Sequence, residues 1–503
     1  MQSMTAYENL EKHFRRLGDL QHVGAIVSWD EAAMMPVGGG ESRGDAMATL
    51  SVVVHEMLTD PCVGEWLDES DGLNDLSAWQ TANLREIRRS FDAATVVTAD
   101  LVRAKSLATA RCEQAWRVAR AANDWATMAP LLETVIGLTR EEAAMRAAAN
   151  GLDPYDALLD TYEPGMRAAR VAGVFGELKG FLPEMVGEII DAQKSLPATP
   201  ITGEFSEESQ RQLGLAMMKT LGFDFDRGRL DVSHHPFCGG VPDDVRITTR
   251  YRTDSFAESL MAVLHETGHA MYEQGLPVEW RGQPVGEALS MATHESQSLL
   301  MEMQACRTRE FMQHMTPSAH AIFLGGASTD PVWSSENLYR LCTRVERGFI
   351  RVDADEVTYP LHVILRFEIE RALIGGSLTV DHLPEAWDEK MQAYLGLDTQ
   401  GNYADGCLQD VHWQAGLIGY FPTYSLGAMT AAQLFAAVRR ALPDVMSNIA
   451  EGDFTALLAW LRANIHSQGR RLNFDELLTA ATGQPLTVAP FRAHLQSRYL
   501  ASD

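Results

Sequence analysis

Long apolar runs are what this 503-residue chain most plainly lacks: none reaches the ~18 residues that a membrane-spanning helix needs. Positive charge is also scarce. Against 68 Asp and Glu stand only 42 Lys and Arg, a formal charge of −26. So acidic a surface repels phosphate backbones and anionic lipid, and neither nucleic acid nor membrane is expected as a partner. Cysteines number six, at 62, 112, 238, 306, 342 and 407, with no C-x-x-C pair. That excludes a disulfide-stapled scaffold and suits reduced thiols in the cytoplasm. Residues 1–23 carry charges throughout, so no secretory signal is expected. Fixed-period repeats and low-complexity tracts are absent, which argues against a solenoid.

What is present reads as helix. Tyr7, Leu10, Phe14 and Leu17 recur at steps of three and four, one apolar stripe of an amphipathic helix. The Ala-rich segments 99–123 and 139–149 are built from the best helix formers. Breaks are expected at Pro36 with Gly38–Gly40, at the acidic stretch Asp68–Asp75 and at Pro197–Gly203. The best strand is Val245–Tyr251, where Val245, Ile247, Thr249 and Tyr251 alternate with polar residues. The expected fold is therefore mainly α with a small sheet near the middle. We read residues 1–503 as one domain, with an N-terminal helical part (1–200), a metal and substrate part (230–430) and C-terminal helices (431–503).

Directly after the candidate strand comes TDSFAESLMAVLHETGHAMYEQGLP. Ser255 with Glu258 forms the pattern of a capping box, and Gly275 with Pro277 stops the helix that follows. Inside lies H-E-x-x-H: His265, Glu266 and His269. Four residues turn a helix through about 400°, so both imidazoles leave one face and can share a cation. Glu266, about 100° around, sits where a carboxylate meets metal-bound water instead of the metal. Gly268 permits a neighbouring element to approach that face. A catalytic zinc needs a third protein ligand. The extended pattern with a further Gly and His fails at Tyr272 and Gly275, leaving Glu287, Glu295 and Glu302, among which spacing does not choose. His294 and Gln297 flank Glu295 as potential outer donors.

Six motifs then occur in order: His235-Pro236-Phe237; Asp244 through Thr248 (DVRIT); H-E-T-G-H at 265–269; His294-Glu295-Ser296-Gln297; Ile350-Arg351 with Ala354-Asp355; and Gly406 with Gln409 through Trp413. The series resembles the carboxypeptidase Taq family of metallocarboxypeptidases. SWDEAAMMP near residue 30, YDALLDTYEPGM near 155 and GYFPTYSLG at 419–427 extend the resemblance over nearly the whole chain. Leu299 and Met301 depart from it, where the family-like helix continues with Arg and Trp. The resemblance implies a zincin-like helical body with a deep groove, forming a homodimer that trims single residues from free C-termini of peptides. It implies Zn2+ (Co2+ or Mn2+ as substitutes) held by His265, His269 and Glu295, with Glu266 as general base. Tyr420, in a segment similar to the tyrosine segment of related zinc peptidases, is expected to stabilise the oxyanion with help from His412. Arg351, in the matching I-R-x-x-A-D motif, is expected to fork onto the substrate carboxylate. Its rival role is a buried ion pair with Asp353 or Asp355. Arg246 would line the groove or touch substrate, and His235 would shape its closed end. The rival functions are a zinc oligopeptidase or dipeptidase, and a non-catalytic metal-containing helical protein that binds peptides.

Overall fold

The apolar stripe of the first segment explains how the chain begins to pack. In this computed structural model, which describes residues 4–501, Ala6–Ala33 is one helix, opened by a Thr5–Glu8 capping box. Tyr7, Leu10, Phe14 and Leu17 are buried against Val63, Leu67, Leu84 and Ile87 from helices Pro61–Ser70 and Ala78–Val96. This small core is separate from the main one, which runs from Cys112 to Leu495. The Ala-rich segments lie in helices Ala99–Ala121 and Trp125–Asn150. The three expected breaks all fall between helices or at their ends. Helices take up 69% of the chain, so the fold is mainly α.

The sheet has three strands, β1 (Gly228–Val232), β2 (Phe237–Val241) and β3 (Asp244–Thr249), in the order β1-β3-β2. β1 runs parallel to β3, pairing Leu230 with Ile247, and β2 antiparallel, pairing Cys238 with Ile247. Val245 and Ile247 are fully buried with Leu230 against Val263 and Ala270 of the helix Ala257–Gly275, so alternation along the strand seats the sheet on the H-E-x-x-H helix.

Two local expectations fail. The strand stops at Thr249 because the chain turns at once, bridging Arg252 to Ser255. The capping box does not form. Ser255 N–H donates to the Arg252 carbonyl, Phe256 takes the cap position with no side-chain bond, and Glu258 is drawn 3.4 Å from the Arg252 guanidinium. Gly275 does end the helix. All six cysteines are free thiols. Among the described residues, no helix is long and apolar enough to cross a membrane.

Candidate active site

Two glycines bring three helices into backbone contact at the H-E-x-x-H motif. A Cβ on Gly268 would lie 2.5 Å from the Gln297 carbonyl oxygen and 2.6 Å from Ser298 Cα, so helix Met291–Leu299 presses directly on the motif. A Cβ on Gly427 would lie 2.8 Å from Glu295 Cβ, so helix Pro422–Ala441 presses on the same element at Glu295 itself. The middle helix is N-capped by Ser290, and buried Glu163 accepts from Ser290 Oγ (2.9 Å) and Ala292 N–H (3.1 Å). Glu295 is thereby held facing both imidazoles.

Of the three candidate carboxylates, Glu295 is the one placed among them. Its Oε2 lies 3.4 Å from His269 Nε2 and 3.8 Å from His265 Nε2, and one donor atom from each residue falls within 4.8 Å of the others. Ligand atoms of a tetrahedral site with bonds of ~2.0–2.1 Å stand about 3.3 Å apart, so the set fits a small divalent cation. Glu287 instead pairs with Arg470 at 2.9 Å, in an extended stretch after the 3-10 turn Pro284–Gly286 and not at a helix start. Glu302 lies in a π-helical stretch, Leu300–Cys306, and its Oε2 accepts from His265 Nδ1 at 2.9 Å while Arg307 donates to its other oxygen.

The outer contacts also fix which ring nitrogens carry protons. Because a carboxylate only accepts, His265 Nδ1 donates to Glu302, and Nε2 is the nitrogen left facing Glu295. Glu273 accepts from His294 Nε2 at 2.8 Å. The opposite nitrogen of His294 then accepts from His269 Nδ1 at 2.6 Å, and His269 Nε2 is left facing Glu295 as well. Gln297, by contrast, faces away and bonds His466. Charge points the same way. Burial works against a cationic His265, but Glu295, Glu302 and Glu266 outweigh it and push the ring up to about 10. Such an excess of negative charge around buried imidazoles calls for a cation. Glu266 is itself buried and is pushed up to about 7, chiefly by burial, with His265 opposing and Glu295 adding.

The remaining candidates gather around a second centre. Buried Glu370 accepts from Tyr155 OH, Trp413 Nε1 and Gly419 N–H and so ties down the 413–419 loop, between His412 and Tyr420. His412 lies over Phe421 at 4.4 Å with Nε2 3.1 Å from Tyr424 OH, and burial brings it down to about 4. Tyr420 is half-buried, edge-on to Tyr162, with its hydroxyl 3.8 Å from Met291 Sδ. Met291 is exposed beside it, whereas Met301 and Met303 further along the chain are buried. Arg351 is buried, as expected of an ion pair, but its partner is neither Asp353 nor Asp355. Asp355 is spent on Thr358, Val357 and Glu346 N–H, and Arg351 donates to Asp410 Oδ1 from Nε (3.1 Å) and Nη2 (2.8 Å). Nη1 donates to Tyr359 OH at 3.0 Å. The Arg351 guanidinium also lies 4.8 Å from the Tyr424 ring, which packs edge-on to Tyr420 at 5.3 Å. Arg246 is less available: Asp244 occupies its fork (2.9 and 2.7 Å), and Trp29 lies 4.6 Å below it. His235 is exposed in the β1–β2 connection.

Residues 9–499 match the model of the carboxypeptidase Taq (M32) metallopeptidase family. The chain belongs to this family. Thermostable carboxypeptidase 1 of Thermus thermophilus is 40% identical to it over 99% of this chain and 98% of that protein. Among solved structures, Trypanosoma cruzi metallocarboxypeptidase 1 matches with a TM-score of 0.96 and 44% identity, covering 99% of this chain and 100% of that one. The M32 carboxypeptidase of Deinococcus radiodurans R1 matches with a TM-score of 0.90 and 36% identity over 98% of both chains. The protein is therefore a metal-dependent carboxypeptidase by family, as the ordered motifs imply. Sequence reasoning passed over Glu273, Arg307 and Arg366. Glu273 had a local signal, one helical turn beyond His269, and Arg307 lies five residues from Glu302; Arg366 finds Asp410 only through folding.

Proposed function

We propose that this carboxypeptidase removes single residues from free peptide C-termini, using a zinc ion held by His265, His269 and Glu295. The observation that carries the reading is the convergence of His265 Nε2, His269 Nε2 and Glu295 Oε2, with no fourth protein donor among the described residues in that group. A structural zinc site is closed by four protein ligands, whereas a catalytic one keeps a position open. Bound there, zinc would supply Lewis-acid charge for the scissile carbonyl and acidify the attacking water. Glu266 takes that water's proton and returns it to the leaving amine. Tyr420 donates to the developing oxyanion, with neutral His412 beside it. Arg351 binds the terminal carboxylate. Arg246 and His235 line the approach, since Asp244 already fills the Arg246 fork.

One peptide in free-acid and C-terminally amidated forms tests this reading by mass spectrometry. The acid should shorten one residue at a time from its C-terminus, and the amide should resist. Internal cleavage of both forms at similar rates would replace it with the oligopeptidase reading.

The ligand set has its own test in metal content after dialysis against a mild chelator. Glu295→Ala should lose the metal, and Glu287→Ala should hold it as wild type does. Glu302→Ala should fall between, by roughly 10–100-fold in affinity, because it orients His265 without binding the ion. Loss from Glu287→Ala with retention by Glu295→Ala would overturn the assignment.

A further inference from the structure

Two buried guanidiniums beside the tyrosine cluster share one carboxylate. Arg351 holds Asp410 Oδ1, and Arg366 holds Oδ2, with Nε at 2.8 Å and Nη2 at 2.6 Å. Arg366 is fully buried between Trp387 (4.5 Å) and Phe421 (5.3 Å), and its Nη1 is spent on the His362 carbonyl at 2.6 Å. It reaches no solvent and no ligand. The other titratable groups packed here do not balance the pair. Burial keeps His362 and His412 neutral, down to about 3 and about 4. Glu370, one turn along from Arg366, gives its oxygens to Tyr155, Trp413 and Gly419 and bonds neither guanidinium. Asp410 is the one group held firmly ionised, far below the usual carboxylate range despite burial, by Arg366 and Arg351. Two buried positive charges thus stand against one negative, an arrangement that is costly unless an anion completes it. The surplus can be met only at Arg351, the member that faces Tyr359 and Tyr424.

We propose that Arg366 is a positioning residue for C-terminal recognition: by drawing on the far oxygen of Asp410, it leaves Arg351 with an unmatched charge that the substrate carboxylate fills. The proposal rests on the reading of Arg351 above and extends it to a residue that never touches substrate. Its preorganisation is electrostatic. Were Asp410 to serve Arg351 alone, the incoming carboxylate would meet a neutral ion pair, and the attraction would shrink to that of a dipole.

The test compares kcat/KM for free-acid and amidated forms of one peptide. Arg366→Met should cut the preference for the acid by roughly tenfold or more, mainly through KM. Arg366→Lys keeps the charge and should keep the preference. Arg366→Met combined with Asp410→Asn restores the surplus and should restore the preference, which a merely structural role would not do. This double variant decides the matter if Arg366→Met does not fold. Equal losses on both substrates for Arg366→Met, or collapse of the preference in the lysine or double variant, would overturn the proposal. Arg351→Ala run alongside separates the two levels. If it is selective for the acid and Arg366→Met is not, only the role of Arg366 falls; if it loses both forms equally, the carboxylate reading falls too.

Discussion

Glu266→Gln should retain its metal and lose at least ~100-fold in kcat. The side chain is not one of the three converging donors, so its replacement leaves the cage of His265, His269 and Glu295 intact. An amide of the same shape fills the same buried space, so packing beside the metal helix is unchanged. What it cannot do is accept a proton from water. The carboxylate can do so, and its burial favours the protonated form that must follow. Metal content and kcat measured on the same preparation check this. A metal-replete Glu266→Gln enzyme turning over at near wild-type rate would remove Glu266 from the mechanism.

Arg351→Ala carries the next largest expectation, a loss of about 2–5 kcal/mol in kcat/KM on a free-acid peptide, as when a desolvated charge pair loses one partner. The loss should be much smaller on the amidated peptide, which presents no full charge. Truncation does not strand Asp410, since Arg366 still holds its other oxygen, so the fold has a means of surviving the change. Arg351→Lys should recover only part of the loss. An ammonium cannot reproduce the fork that holds Asp410 and Tyr359 together. Steady-state kinetics on both peptide forms decide it. Equal losses would make Arg351 a structural partner of Asp410 and send carboxylate recognition elsewhere.

What the sequence could reveal follows the range of the interactions. The amphipathic stripe at Tyr7–Leu17, the Ala-rich helices and the H-E-x-x-H helix are short-range patterns, and each lies where its periodicity puts it. The carboxylate that joins the two imidazoles was different. Glu287, Glu295 and Glu302 are equivalent in spacing, and only helix contacts at Gly268 and Gly427 select Glu295. Glu302 reaches the same imidazole, but from the outside and on the far nitrogen, a distinction that no count of residues carries. The ion partner of Arg351 was hidden in the same way: nearby Asp353 and Asp355 are natural partners by proximity, while the one it holds, Asp410, comes from a separate loop. Even a local pattern can lose to a stronger neighbour. The Ser255–Glu258 capping box satisfied every sequence rule, and Arg252 took both the backbone and the side chain that it needed.

The three-helix stack at Gly268 and Gly427 has a consequence for how such a chain can diverge. Where main chain meets main chain, the spacing of the donors belongs to the backbone and not to any packed side chain. Apolar surfaces elsewhere on these helices can drift through many combinations of similar volume, each repacking its own neighbourhood, without altering the distance from Glu295 to the two imidazoles. A methyl group at either glycine has no such latitude, because the atoms it would strike are backbone or the base of Glu295 itself. Relatives that share fewer than half of their residues with this chain yet superpose along its whole length fit that picture. For the spacing of these donors, the geometric demand falls on two positions that have no side chain at all.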